Sequence, residues 1–144
     1  MGLDNPLGQA VLQEVADLHA FFEAWLRGEA ENTNAVFSRV ESSLGEKFTM
    51  VTPSGQRRQR PDVIGWLRGI HGARASQGSF HIAIAEPEVL LLRPPLILLG
   101  YVEEQTLGNV VTRRQSSALF EVSIEGGRHV RWLALHETWI DPGS

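Results

Sequence analysis

The sequence predicts an α+β fold, on two observations. In the first half, apolar residues recur at the three- and four-residue spacing of amphipathic helices. From about Ser79 onward the period changes to two, the spacing of strands. Helices grouped ahead of strands favour α+β over an alternating parallel α/β arrangement. The chain of 144 residues is read as a single domain, 1–144, long enough for a full hydrophobic core.

The first helix is expected from about Asn5 to Arg27, with Val11, Val15, Leu18, Phe22 and Trp25 forming one stripe. Gly28 supplies its stop. A second helix starts near Asn32 and Thr33, both good N-cap types, carries Val36, Phe37, Val40 and Leu44, and ends at Gly45. A short strand, Lys47 to Thr52, closes in the turn Pro53-Ser54-Gly55. The third helix begins at Pro61, stops by Gly72, and is expected to bury Val63, Trp66, Leu67 and Ile70.

Four strands follow. Ser79 to Leu92 places Phe80, Ile82 and Ile84 on one face, and Pro87 marks a bulge or an edge. Leu96 to Leu107 and Val110 to Ile124 are joined by the tight turn Gly108-Asn109. A second such turn, Gly126-Gly127, leads to His129–Asp141. These hairpins make an antiparallel meander. Apolar residues on both faces of the strands point to a second subunit covering the sheet, or to a sheet curled over its own cavity.

Composition excludes several classes. The net charge of −4 argues against general binding to nucleic acid or anionic membrane. With no cysteine, disulfides, thiolate catalysis and Cys-based zinc sites are ruled out. The longest apolar run is broken by Arg93-Pro94-Pro95 and cannot span a membrane. No secretory signal or myristoylation pattern opens the chain, so a bacterial cytoplasmic setting is expected. No two of the five histidines have helical i, i+4 spacing, and no metal or cofactor is expected.

The order of elements resembles the nuclear-transport-factor-2-like superfamily, which includes SnoaL-like cyclases and ketosteroid isomerases. Local phrases carry the resemblance: Phe22-Glu23-Ala24-Trp25-Leu26-Arg27-Gly28-Glu29, then Phe48 to Gly55, then Ser117-Ala118-Leu119-Phe120. Tyr101-x-Glu103-x-Gln105 with His136-Glu137-Thr138-Trp139 looks like a bacterial subgroup of uncharacterised members. The resemblance implies a cone, with a curved antiparallel sheet wrapped around the N-terminal helices and a pocket inside. It also implies what the chain lacks. Isomerase-type members place acids and a base where this sequence has Phe21, Thr52 and Ala118, so steroid isomerisation is not expected. SnoaL-like cyclases need a strand carboxylate, and Glu103 or Glu104 could fill that part.

Within such a cone, Tyr101, Glu103 and Gln105 share one strand face and are read as lining the pocket, with Glu104 facing solvent. Parity with Trp132 and Ala134 turns His136 toward the pocket and Glu137 outward, to pair with an arginine such as Arg113. Glu103 and His136 are thus the candidate catalytic acid/base residues. Tyr101, Gln105, Ser116, Trp132 and Trp25 are the candidate ligand contacts, the two tryptophans being core residues first. Gln56-Arg57-Arg58-Gln59-Arg60 is a basic cluster at the rim, read as a solvated loop that could guide an anion. Three functions follow: a small-molecule-binding domain, favoured, with homodimerisation through the sheet face; a metal-free acid/base enzyme; or a protein-association module.

Overall fold

The computed structural model describes residues 2–124 and 128–140. A 3-10 turn, Gly2–Asp4, precedes helix α1 (Pro6–Arg27). Then come α2 (Asn34–Ser43), strand β1 (Leu44–Val51), β2 (Arg57–Gln59) and α3 (Arg60–Gly69). Strands β3 (Phe80–Arg93), β4 (Leu96–Leu107), β5 (Val110–Ser123) and β6 (His129–Trp139) complete the chain. They form one six-stranded sheet in the order β2-β1-β6-β5-β4-β3. The meander is antiparallel, whereas β1 runs parallel to β6. The fold is the expected α+β cone, with its curved sheet wrapped around α1.

Local chemistry accounts for the helix ends. Asn5 caps α1 by accepting from the Leu7 amide at 2.8 Å, with Pro6 in the first turn. Gly28 ends α1 at φ 76°, and a Cβ there would lie 3.3 Å from the Gly72 Cα. Thr33 caps α2 through the Val36 amide. The second helix stops at Ser43, short of Gly45, because Leu44 already pairs with Trp132 in the sheet. The predicted loop around Arg57 instead contributes a strand, since Thr49, Met50 and Val51 pair with Gln59, Arg58 and Arg57. Bulges in β3 between Ala85 and Glu88 bracket Pro87. The predicted turn at Gly126-Gly127 and the strand end at Asp141 lie outside the described residues.

The stripe of α1 packs onto the concave face of the sheet. Val11, Val15, Leu18 and Trp25 meet Ile97, Leu99, Tyr101, Ala118, Phe120 and Trp132 in one buried cluster. Full burial of each large side chain contributes roughly 1.5–3 kcal/mol. Trp25 is wholly buried and donates its indole N–H to the Leu67 carbonyl at 2.7 Å, fastening α3 to α1. Trp66 departs from expectation. It is 62% exposed, because α3 turns Val63 and Leu67 inward and leaves Trp66 at the rim.

The crossing of Gly28 and Gly72 is a point where an added methyl has both a steric and a conformational cost. Gly28→Ala is expected to destabilise the fold by about 1–2 kcal/mol. Urea unfolding measures this, and an unchanged midpoint would contradict the close approach.

Candidate functional site

Between α1, α3 and the concave face lies a cavity of about 120 Å³, walled mainly by carbon. Leu18, Phe22, Phe48, Met50, Ile82 and Leu135 supply most of the wall. Five polar side chains enter it: His19, Glu103, Gln105, Arg114 and Glu137. A wider mouth of about 660 Å³ shares Gln105, Arg114 and Glu137 with it and is edged by Trp66, Trp139, Arg58 and Arg74.

One polar group is a saturated pair. His19 sits on the apolar stripe of α1, 5% exposed, and its Nε2 lies 3.1 Å from Glu103 Oε1. Its Nδ1 donates to the Val15 carbonyl at 2.7 Å. Both ring nitrogens therefore face oxygen acceptors, so with Glu103 ionised the ring carries both protons. The second Glu103 oxygen accepts from the Gln105 amide at 2.7 Å. Burial alone would raise the Glu103 pKa, but His19, Arg114 and the Gln105 hydrogen bond outweigh it and hold the group at about 2. Burial likewise opposes charge on His19, and the adjoining Glu103 carboxylate overcomes it, so the pKa of His19 is raised.

The other pair is loose. Arg114 Nη1 reaches Glu137 Oε1 only at 3.4 Å, and the Ser116 hydroxyl reaches Oε2 also at 3.4 Å. The guanidinium lies over the Trp139 ring at 4.8 Å. Its buried Nε makes no hydrogen bond among the described residues. Burial, reinforced by the charge of Glu103, lifts the Glu137 pKa to about 7, with Arg114 offsetting only part of the rise. Tyr101 is fully buried beside this group. Its hydroxyl has no partner among the described residues, and burial pushes its pKa well up.

The sequence-predicted residues divide sharply. Glu103 and Gln105 line the cavity, Trp132 closes part of its wall, and Ser116 faces inward onto Glu137. Tyr101 lies in the core on the same face, and Trp25 is a core residue outside the cavity wall. Glu104 turns outward and pairs with Arg113 at 2.8 Å. His136 is exposed on the convex face, against Leu98, Leu119 and Ala134. Glu137, not His136, faces the cavity, and its arginine is Arg114, not Arg113. A β-bulge causes the inversion. Phe120 pairs with Trp132 and Leu119 with Ala134, leaving Leu133 as an extra residue that reverses the parity of all that follows. His19 was missed, although a histidine one helical turn from Val15 on an apolar stripe is a legible signal. Among the described residues no three His, Asp or Glu side chains converge as metal ligands. No described helix is long and apolar enough to cross a membrane.

The cavity thus sets a carbon wall beside one carboxyl, Glu137, whose proton exchanges near neutral pH. Because the Glu137 pKa rises on folding, its contribution to stability is fully present below the unfolded carboxylate value. It is lost as pH climbs to about 7. Glu137→Gln is expected to remove on the order of 3 kcal/mol of the stability difference between about pH 5 and about pH 8. Urea titrations at both pH values test it, and an unaltered difference would contradict a carboxyl buried against its charge.

Comparison with known proteins places this geometry in a family. Residues 11–141 match the sucrose-6-phosphate phosphohydrolase C-terminal family. Sucrose-phosphatase 1 of Nicotiana tabacum is 39% identical over 132 residues, covering 88% of this chain and 30% of that protein. A probable sucrose-phosphatase 2 of Arabidopsis thaliana is 37% identical over 59 residues, covering 41% of this chain and 14% of that protein. The chain thus spans less than a third of the length of these curated relatives. Among solved structures, a nuclear-transport-factor-2-like protein of unknown function from Pseudomonas aeruginosa superposes with a TM-score of 0.81 at 23% identity, over 92% of this chain and 99% of that one. The CaMKII hub of S. rosetta gives 0.69 at 11% identity, over 92% and 95%. These likenesses establish the cone fold, and the sequence match over residues 11–141 shows that the chain belongs to the sucrose-6-phosphate phosphohydrolase C-terminal family.

Proposed function

We propose that the chain is a small-molecule-binding domain whose ligand occupies the cavity beneath α3. One observation carries this reading: a carbon-walled cavity inside the cone, with Arg114 and Glu137 where it meets an open mouth. The sucrose-phosphatases that resemble it devote only a minor part of their length to the matching region. That supports a binding module accompanying a phosphohydrolase, more than a phosphohydrolase centre itself. A sugar phosphate suits the mouth, where Arg58 and Arg74 lie, better than the chamber, whose wall would leave sugar hydroxyls unsatisfied.

The test is a cavity-filling variant. Ile70 lines both chamber and mouth. Ile70→Trp is expected to weaken hits from a thermal-shift ligand screen by about tenfold or more, while Tm stays within about 5 °C. Hits that bind the variant as tightly as the parent would place the ligand elsewhere and overturn the reading.

A second reading has its own observation. Glu103 and Glu137 share one cavity with pKa values pushed in opposite directions, the arrangement that separates a base from an acid. In that reading Glu137 is the proton donor and His19 fixes the charge of Glu103. Turnover of a cavity ligand, abolished by Glu137→Gln with binding retained, would establish it; binding without turnover would refute it.

The convex face supports self-association. Leu98, Leu119 and Ala134 are half-buried there, and Leu90 and Leu91 are exposed on the neighbouring strand. We assign a homodimer to this face. Leu119→Glu is expected to convert it to monomer in sedimentation, and a parent protein that is already monomeric would remove the assignment.

A further inference from the structure

Resting on the cavity as a ligand site, we propose that its ligand is an amphiphilic carboxylate: an apolar body seated in the chamber and an acidic head held between Arg114 and Glu137. The argument starts from which groups are already satisfied. His19, Glu103 and Gln105 saturate one another at 2.7–3.1 Å. Arg114 and Glu137 do not. Their mutual contact is 3.4 Å, and the guanidinium keeps a buried Nε with no acceptor among the described residues. A guanidinium left with an unmet donor and only a long contact to its carboxylate is under-satisfied, and Arg114, which lines both chamber and mouth, can take a further acceptor. The rest of the chamber offers almost only carbon. A ligand that fits therefore brings one strong acceptor on an otherwise apolar frame, and a carboxylate matches a guanidinium best.

Charge balance fixes the second half. His19 with Glu103 sums to neutral, and so does Arg114 with an ionised Glu137. A carboxylate entering that setting leaves one negative charge in excess, buried among apolar walls. Protonation of Glu137 by solvent removes the excess and turns its carboxyl into a donor to the ligand head. The groups that face Glu137 from each packed element agree with this. Glu103 on β4 repels its charge, while Arg114 on β5 and His19 on α1 counter it only in part. Arg58, Asp62 and Arg74 stand farther out, at the mouth. Binding of the acid is thus coupled to uptake of a proton.

The experiment is calorimetry with hexanoate, octanoate and phenylacetate, each beside its primary amide, in buffers of different ionisation enthalpy. The carboxylates are expected to bind about tenfold or more tighter than the amides. At about pH 8, where free Glu137 is mostly ionised, uptake is expected to approach one proton per ligand. Arg114→Met should erase the preference for carboxylate. Glu137→Gln, which keeps a polar head of the same shape, should abolish the proton uptake and flatten the dependence of affinity on pH. Equal binding of acid and amide, or proton uptake that persists in Glu137→Gln, would overturn the proposal. If neutral or cationic compounds bind the parent and are lost in Ile70→Trp while every carboxylate fails, the ligand class is wrong and the cavity reading stands. If nothing binds the cavity at all, both fall.

Discussion

The contact between His19 and Glu103 is the constraint on which the rest of the site depends. It joins α1 to β4 across the buried face of the sheet. A histidine on the apolar stripe of a buried helix would be costly if either ring nitrogen lacked a partner. Here Val15 takes one and Glu103 the other. Glu103 in turn is an acid inside the core that only a cation or several donors can keep ionised, and it has both. The charge held there is then felt by the next carboxylate across the sheet. Glu137 is pushed upward by burial first and by Glu103 second. The imidazole on the helix offsets part of that rise, so the charge state of a residue on β6 is influenced by a group that it does not touch through a hydrogen bond.

The fold and the β4 face of the site were legible in the sequence, whereas His19 and Glu137 were not, and the division has physical reasons. The helices, the Gly108 turn and the pocket parity of β4 and β5 follow from periods that run uninterrupted over ten or more residues. Tyr101, Glu103 and Gln105, with Ser116 opposite, were correctly turned inward because nothing breaks the ladder between β4 and β5. On β6, by contrast, one extra residue at Leu133 reverses the alternation. The run Trp132-Leu133-Ala134-Leu135 is apolar throughout, so no polar residue marks where the ladder slips. His136 and Glu137 exchanged faces for that reason alone. The same ambiguity let Arg113 stand in for Arg114.

Trp66 and the Arg57 segment show a different limit. A tryptophan on a helix stripe is ordinarily core, and the helical period of α3 includes it. Yet α3 is short, and its inward face is set by where Trp25 and Leu67 meet. That meeting point is a tertiary fact with no local signature. The basic segment joins the sheet through backbone pairing with β1, which its side chains do not announce. Strand pairing of three residues depends on a neighbour to receive it, and charged composition alone reads as loop.

The two ion pairs of the cavity also separate structure from function. A pair that exists for stability tends toward full satisfaction, since each unmet donor or acceptor in a dry interior subtracts from it. His19–Glu103 has that character, closed at both ends and continued through Gln105. Arg114–Glu137 has the opposite character: long contacts, an unused donor, a carboxyl that resists ionisation, and an arginine resting on an exposed indole at the mouth. Replacing it with packed hydrophobic residues would satisfy the fold more cheaply. Placed at the junction of a carbon-walled chamber and an open mouth, it is the pair with donor capacity left over for an atom from outside the chain, which is the ground on which the ligand proposal rests.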